Sequence, residues 1–225
     1  MICCSSTRAI DWPGSDPLVT GVGGTKLHLN DQGYRTAPDS VWNDLSSTFG
    51  IPGPVYTNGS SGGGLSTVFS RPKFQNGVAG TVGDSRGTPD IAMNAAGSAS
   101  VDFYDTADPS VKGWGIIAGT SEASPLFSGI VALTDQLAGH RIGLLNPALY
   151  AMGRSGARGI VPIAQGGNTY IFCPVADTQT DDSCASAADL VTVPGFNANG
   201  SYNDASGWGT VNAAAFVPAL ARYAG

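Results

Sequence analysis

The apolar residues in the first half of the chain occur in short runs interrupted by glycine, proline and small polar residues. Short runs rich in valine, isoleucine, threonine and aromatic residues predict strands rather than helices. Residues 18–29 contain two such runs, which predicts strands at 18–24 and 25–29 joined by a tight glycine turn. Extended segments are also predicted at 86–96, 100–106 and 112–120, and residues 40–45 form a short strand or a helical turn.

The second half of the chain contains longer apolar segments with helical spacing. The longest helix is predicted at 122–139, where small and apolar residues occur on nearly all sides, so we expect it to be buried. A shorter helix is predicted at 145–153, with Asn146 as its N-cap, Pro147 at the first helical position and Gly153 just after its end.

An amphipathic helix is predicted at 210–225, and residues 160–200 are expected to be rich in loops. Strands that alternate with helices favour an α/β layered fold. Because the chain shows neither an internal repeat nor a low-complexity linker, we expect residues 1–225 to form one domain.

Composition excludes several classes of function. Only 12% of the 225 residues are charged, the net charge is −6, and the 11 lysines and arginines are scattered, which argues against nucleic acid as a partner. No apolar run is long enough to span a membrane. The opening residues lack the apolar core of a signal peptide, so we expect none in this sequence.

The four cysteines are Cys3, Cys4, Cys173 and Cys184. Adjacent cysteines such as Cys3 and Cys4 rarely pair with each other, for geometric reasons. Cys173 and Cys184 flank a polar segment, and we expect a disulfide between them and an oxidising compartment, with two free thiols as the alternative. A zinc site is less favoured because the chain has no CxxC pattern and only two histidines.

Ser121 lies where a glycine turn meets the longest predicted helix. In one interpretation, Thr120 or Ser121 simply caps this helix. In the other, Ser121 is a nucleophile, because unpaired backbone N–H groups and the helix dipole at an N-terminus can stabilise an oxyanion. Gly119 would let the backbone approach a substrate closely.

Five motifs in this chain resemble those of the sedolisins, the serine-carboxyl peptidases, and occur in the family's order. The GTSxxxP pattern at 119–125 is shared with the subtilisins, and the other four are typical of sedolisins. These four are DWPGSDPLVTGVGGT at 11–25, SSGGGLSTVFSRPKFQ at 60–75, RGTPDIA at 86–92 and YNDASGWGTVNAAAFV at 202–217.

The resemblance implies a subtilisin-like α/β fold of three layers with a mainly parallel sheet, of which this chain is the C-terminal part. It implies an acid-range serine endopeptidase that forms an acyl-enzyme through Ser121. Sedolisins use a glutamate as general base, an aspartate behind it and a second aspartate in the oxyanion hole. A carboxylate base stays ionised at a low pH where histidine is protonated.

The catalytic partners of this family have no counterparts in the sequence. Glu122 is the only glutamate, and on a helix it points about 100° away from Ser121. Asp11 and Asp16 are the nearest upstream acids, but they belong to a different motif. We therefore expect an incomplete active site, and the alternative is an inactive remnant that binds peptides or a partner through the old cleft.

A subtilisin-type triad is not expected either, because neither histidine lies in a suitable motif. His28 falls in a predicted strand and His140 follows the helix of Ser121. We expect both histidines to be structural or to face solvent.

The family also binds one calcium ion through oxygen ligands near the C-terminus. The matching positions are the Ile163 carbonyl, the Asn199 and Ser201 carbonyls and the side chain of Asn203. Proline replaces the expected aspartate at Pro162, and an alternative register uses Asp189-Leu190. Because calcium prefers several carboxylates, we expect weak binding or none.

The glycine segment Ser61-Gly62-Gly63-Gly64 and Gly119 are expected to line the substrate cleft through backbone groups. A surface turn is the alternative for the first segment. Trp42, Trp114 and Trp208 are expected in the core or the cleft wall. The family and the expected disulfide together predict an extracellular monomer that acts on peptide or protein substrates.

Overall fold

The structure is a computed structural model that describes residues 8–45, 58–107, 112–172 and 191–224. The strands are β1 (Val22–Leu29), β2 (Arg35–Val41), β3 (Asn43–Leu45), β4 (Asn58–Ser60), β5 (Gly64–Ser70), β6 (Ser85–Thr88), β7 (Ile91–Asn94), β8 (Val101–Asp105), β9 (Gly113–Ile117), β10 (Ile160–Val161), β11 (Tyr170–Phe172), β12 (Val191–Val193) and β13 (Thr210–Val211). The helices are α1 (Ala79–Val82), α2 (Thr120–Ala138), α3 (Asn146–Ser155) and α4 (Ala213–Tyr223).

A three-stranded sheet with the order β2-β1-β7 forms the centre of the fold. Strand β1 pairs parallel to β7 and antiparallel to β2. The remaining strand pairs in the described ranges are antiparallel and two-stranded. The expected mixture of strands and helices is present, but the expectation of a mainly parallel sheet is met here by the β1–β7 pair alone.

The turn predicted between residues 24 and 25 is wrong, because β1 continues through both glycines. A Cβ atom on Gly23 would lie 2.7 Å from the Pro89 side chain, and one on Gly24 would lie 2.8 Å from the side chains of Trp42 and Ala95. These glycines therefore allow close packing against the strand and do not bend the chain.

The main core lies between the sheet and the three long helices. Ile91 of β7 packs there with buried residues of each helix. Those helix residues are Phe127, Ala148, Leu149, Met152, Phe216, Ala219 and Leu220. The rings of Phe127 and Phe216 are 5.9 Å apart, which joins α2 to α4.

The expectation that the longest helix is buried on all sides is wrong. Phe127 and Ala123 face the core, whereas Leu133 is 53% exposed and Leu137 is 58% exposed. Helix α2 packs on the sheet and on α4 from one side only, so the opposite side stays exposed within the described part of the chain.

The ends of the shorter helices differ from the predictions in their details. Asn146 lies within α3, whose N-cap is Leu145, and its side chain instead accepts a hydrogen bond from Thr20 Oγ1 and donates one to the Val19 carbonyl. Gly153 lies inside the same helix, with the Trp208 ring packed against it. Helix α4 is capped by Asn212, whose side chain accepts from the Ala215 N–H group.

Of the three tryptophans expected in the core or the cleft wall, two are placed as expected. Trp42 is buried and Trp208 packs in an aromatic cluster with Tyr150 and Tyr202. Trp114 is not a core residue, because it is 78% exposed on the β8–β9 hairpin, where it contacts Tyr104 edge to face. None of the helices in the described ranges has the length and apolar character needed to cross a membrane.

Candidate active site

Ser121 occupies the first turn of α2 and is exposed to solvent. The helix has Gly119 as its N-cap, with φ at +80°, and no side chain caps it, so the interpretation of Thr120 or Ser121 as a capping residue is wrong. The Gly119 N–H group donates to the Ala95 carbonyl at 2.7 Å, which fixes the turn against the end of β7. First-turn N–H groups at Thr120 and Ser121 have no carbonyl of the preceding helical turn to bond. An exposed hydroxyl therefore lies beside backbone donors at the positive end of a helix of 19 residues.

Glu122 points away from Ser121 and into the protein. Its Oε1 atom accepts a hydrogen bond from Asn94 Nδ2 at 2.8 Å. Its Oε2 atom is buried without a partner in the described ranges. Burial raises the pKa of Glu122 above its usual value, against the lowering effect of Asn94 and of the Val101 backbone. This residue anchors α2 to β7 and is not placed to take a proton from Ser121.

Glu122→Gln is expected to change the free energy of unfolding by less than about 1 kcal/mol at acid pH, because glutamine mimics the protonated acid. As the pH rises towards the raised pKa of the folded chain, the wild type loses stability because the unfolded chain ionises first, whereas the variant does not. Urea denaturation at a series of pH values measures both effects. Parallel pH profiles for the two proteins would contradict this assignment.

The glycine segment after β4 lies close to the same helix end through Trp42. The Ser61 N–H group donates to the Trp42 carbonyl at 2.9 Å, and a Cβ atom on Gly119 would lie 3.7 Å from the Trp42 ring. The Ser61 hydroxyl is engaged internally, since it donates to the Ala205 carbonyl at 2.8 Å and accepts from the Gly24 N–H at 3.0 Å. This leaves the backbone of the segment as the part that a ligand can contact.

The three glycines of this segment are placed differently from one another. Gly62 is exposed, and an added Cβ atom would meet nothing within 4 Å. At Gly63, which has φ at +155°, a Cβ atom would lie 1.9 Å from the Asp204 carbonyl oxygen, so a side chain cannot fit. Gly64 is buried near Phe196 and Ile10.

The other titratable candidates lie in unrelated surroundings. His28 is half-buried and its Nε2 atom lies 3.1 Å from Ser40 Oγ, whereas His140 is exposed beside the Arg141 carbonyl. Asp16 accepts a hydrogen bond from the Leu18 N–H, and the Asp11 carbonyl accepts one from Ser15, so both belong to one local turn. None of these four side chains has a hydrogen bond to Ser121 among the described residues.

The positions expected to bind calcium do lie together. The Ile163 carbonyl accepts from the Gly200 N–H at 2.9 Å, and the Ser201 carbonyl accepts from Asn203 Nδ2 at 2.8 Å. Asn199 uses its side-chain oxygen to accept from the Ser201 N–H and hydroxyl. The set contains no carboxylate, and in the described ranges no group of three His, Cys, Asp or Glu side chains could hold a metal ion.

Several sequence-based predictions fall on residues outside the described ranges. They concern all four cysteines, including the proposed Cys173–Cys184 disulfide, and the Asp189-Leu190 register of the calcium site.

Sequence reasoning missed two buried charged features close to this region. Arg86 and Asp90 form an ion pair in which both side chains have no exposed area. Asp204 is 3% exposed, and its Oδ1 atom has no hydrogen-bond partner in the described part of the chain. The first could have been inferred, because two opposite charges four residues apart in an apolar run are buried at low cost only if they pair.

Comparisons with known proteins give a consistent set of relatives, although no protein-family model matches the chain. Kumamolisin from Bacillus sp. (strain MN-32) is 34% identical over 149 residues, which cover 64% of this chain and 24% of that protein. Sedolisin from Pseudomonas sp. (strain 101) is 32% identical over 166 residues, which cover 73% of this chain and 26% of that protein.

The fold is also similar to a solved structure, Pseudomonas sedolisin, described as a serine-carboxyl proteinase, complexed with two molecules of pseudo-iodotyrostatin. The TM-score is 0.66 at 26% identity, and the match covers 92% of this chain and 47% of that chain. The subtilisin-like α/β fold class expected from the motifs is therefore confirmed. The chain spans about a quarter of the length of the two curated relatives above.

Proposed function

The chain belongs to the sedolisin family of serine-carboxyl peptidases, and we propose that it carries the nucleophile of an acid-range serine endopeptidase. The observation that supports this most is the position of Ser121. Ser121 is exposed at the start of α2, beside a glycine of positive φ and the first-turn N–H groups, which have no carbonyl of a preceding helical turn to bond. Ser61, by contrast, is buried and its hydroxyl is bonded internally, so it lacks this arrangement.

In the proposed reaction, Ser121 Oγ attacks the carbonyl carbon of a peptide bond and gives up its proton to a carboxylate base. The carbonyl oxygen becomes an oxyanion that backbone N–H groups can stabilise. Collapse of this intermediate expels the amine, which receives the proton, and leaves an acyl group on Ser121. Water then hydrolyses the ester and releases the second product.

The base in this scheme is not a described residue of the chain. Glu122 is the only glutamate, and its carboxyl group is buried against Asn94. We therefore propose that protein outside this 225-residue sequence supplies the base, the aspartate behind it and the oxyanion-hole aspartate. We also propose an extracellular monomer that acts on peptide or protein substrates.

Peptide hydrolysis by the purified chain, measured from about pH 3 to about pH 7, tests the proposal. Hydrolysis by a complete site is expected to fall by at least about 1,000-fold in Ser121→Ala. Ser128→Ala is the matched control, because Ser128 is exposed on the same helix and its hydroxyl donates to the Ser124 carbonyl.

The hypotheses of a peptidase nucleophile and of a peptide-binding remnant are separated by the results for the unaltered chain and its variants. Acid-range hydrolysis that is lost in Ser121→Ala and kept in Ser128→Ala would support the nucleophile and refute the incomplete site. A folded chain that does not hydrolyse peptides is the result expected if the base lies outside the chain, and peptide binding by that chain would in addition support the alternative of a peptide-binding remnant. Hydrolysis that survives in Ser121→Ala would refute Ser121 as the nucleophile.

A further inference from the structure

The loop from residue 199 to residue 207 is tied to the rest of the chain by backbone hydrogen bonds. Its start is fixed by the bond from the Gly200 N–H to the Ile163 carbonyl at 2.9 Å. Its end is closed by a reciprocal pair between Asn203 and Gly207, at 3.2 Å and 2.8 Å. Asn203 therefore lies where the two ends of the turn meet, and it is only 3% exposed.

The amide oxygen of Asn203 is surrounded by donors. It accepts from the Ala205 N–H at 3.1 Å, the Ser206 N–H at 3.0 Å and the Ser206 hydroxyl at 3.1 Å. Backbone N–H groups can only donate, so the atom that faces them must be the oxygen and not the nitrogen. The orientation of the amide is thereby determined.

With the oxygen fixed, the NH₂ group of Asn203 must point the other way. It donates to the Ser201 carbonyl at 2.8 Å. The group opposite this carbonyl is thus a hydrogen-bond donor with a partial positive charge. A cation bound by the Ser201 carbonyl on the side of this bond would meet the NH₂ hydrogens of Asn203.

These residues do not fit the calcium ion that the family implies. Calcium takes six to eight oxygen ligands and usually several carboxylates. Pro162 supplies no side-chain oxygen, the Asn203 oxygen already accepts three hydrogen bonds, and the Asn203 nitrogen cannot be a ligand to calcium.

We propose that the Asn203 amide closes this loop in place of a metal ion, so that the fold of the chain does not depend on calcium. One oxygen holds the Ala205 and Ser206 end of the turn, and the NH₂ group binds the Ser201 carbonyl. A cation in a carboxylate-based loop would bridge the same two sides through its own charge. This proposal does not rest on the peptidase activity.

Asn203→Asp tests the proposal, because it keeps one acceptor oxygen and replaces the NH₂ group with a second oxygen facing the Ser201 carbonyl. In EDTA at neutral pH, the Tm of the variant is expected to fall by about 4 to 8 °C relative to the wild type. Millimolar calcium should restore much of this loss in the variant, because a cation can bridge the two oxygens. The wild-type Tm should be the same in EDTA and in calcium.

Asn30→Asp is the matched control, because Asn30 is an exposed residue whose side-chain oxygen accepts from the Gln32 and Tyr34 N–H groups in a distant turn. It adds the same charge, and its Tm should respond to neither EDTA nor calcium. A loss of Tm equal to that of Asn203→Asp would overturn the proposal, as would an Asn203→Asp variant that keeps the wild-type Tm in EDTA.

A measurement on the wild type decides the question even if Asn203→Asp does not fold. Terbium bound in this loop would be sensitised by Tyr202 and Trp208, which lie within 6 Å of each other beside it. The wild type is expected to give no terbium luminescence that calcium displaces. A calcium-displaceable signal together with a rise of the wild-type Tm in calcium would refute the proposal.

Discussion

Arg86→Met is expected to lower the free energy of unfolding by about 3 to 5 kcal/mol, because it leaves the Asp90 carboxylate buried without its cation. The two side chains have no exposed area and are joined by two parallel hydrogen bonds, of 2.7 Å and 2.5 Å. Such bidentate contacts between arginine and carboxylate are strong and directional.

The Asp90 carboxylate also connects three parts of the fold. It accepts from the Gly21 N–H at 2.8 Å, next to β1, and from the Tyr150 hydroxyl at 2.7 Å, on α3. Although burial alone would lower the pKa of Arg86, the hydrogen bonds and charge of Asp90 raise it above its usual value, so the cation is retained. Removing Arg86 thus unbalances a charge on which the junction of β7, β1 and α3 depends.

Arg71→Met is the control for this experiment. Arg71 lies 3.6 Å from Asp84, whose side chain is fully exposed, so removing this arginine leaves no carboxylate buried. Exposed pairs contribute about 0 to 1 kcal/mol, so this variant should lose much less stability than Arg86→Met. Urea denaturation of both variants measures the difference, and a loss in Arg86→Met no larger than in Arg71→Met would contradict the argument.

Local sequence patterns predicted the three long helices and part of the strands, because alternation and helical spacing depend on neighbouring residues only. Strands β2 and β5 were not predicted. The β8–β9 hairpin and the helix after Ser121 both formed near the predicted positions. The motif order also identified the family. These signals require no knowledge of which elements meet in the folded chain.

The errors concern residues whose roles are set by distant partners. Asn146 has the sequence signature of a helix cap, but its side chain is hydrogen-bonded to Thr20 and Val19 instead. Gly23 and Gly24 suggest a turn, but they lie in a strand, where the side chains of Pro89 and Trp42 occupy the space that a Cβ atom would take. The apolar surface of α2 suggests burial, but only one side of it packs on described residues.

The candidate site was predictable in part for the same reason. The GTSxxxP motif located Ser121 at a helix start, where the structure places it. The sequence also excluded Glu122 as a base through helical geometry, in agreement with its contact with Asn94. The inward role of Ser61, whose hydroxyl bonds the Ala205 carbonyl 144 residues away, could not be inferred from any local pattern.

Asp204 gives rise to the second large expected effect, a loss of stability as the pH rises. Its carboxyl group is 3% exposed, its Oδ1 atom has no described partner, and burial raises its pKa from 3.8 to about 7. Between these two pH values the folded chain keeps the proton that the unfolded chain releases. The contribution of Asp204 to the free energy of unfolding is therefore fully present below about pH 4. It falls by on the order of 4 kcal/mol as the pH rises past the pKa of the folded chain.

Asp204→Asn isolates this contribution, because asparagine stays uncharged and resembles the protonated acid. The variant and the wild type are expected to have similar free energies of unfolding near pH 4, and the variant should be the more stable protein above about pH 7. Urea denaturation across this range measures the difference, with Asp31→Asn as a control at an exposed aspartate. Identical slopes for the wild type and Asp204→Asn would mean that Asp204 ionises normally in the folded chain. A selective loss of wild-type stability towards neutral pH would instead show that the fold itself favours the acid range in which the proposed carboxylate-based peptidase would act.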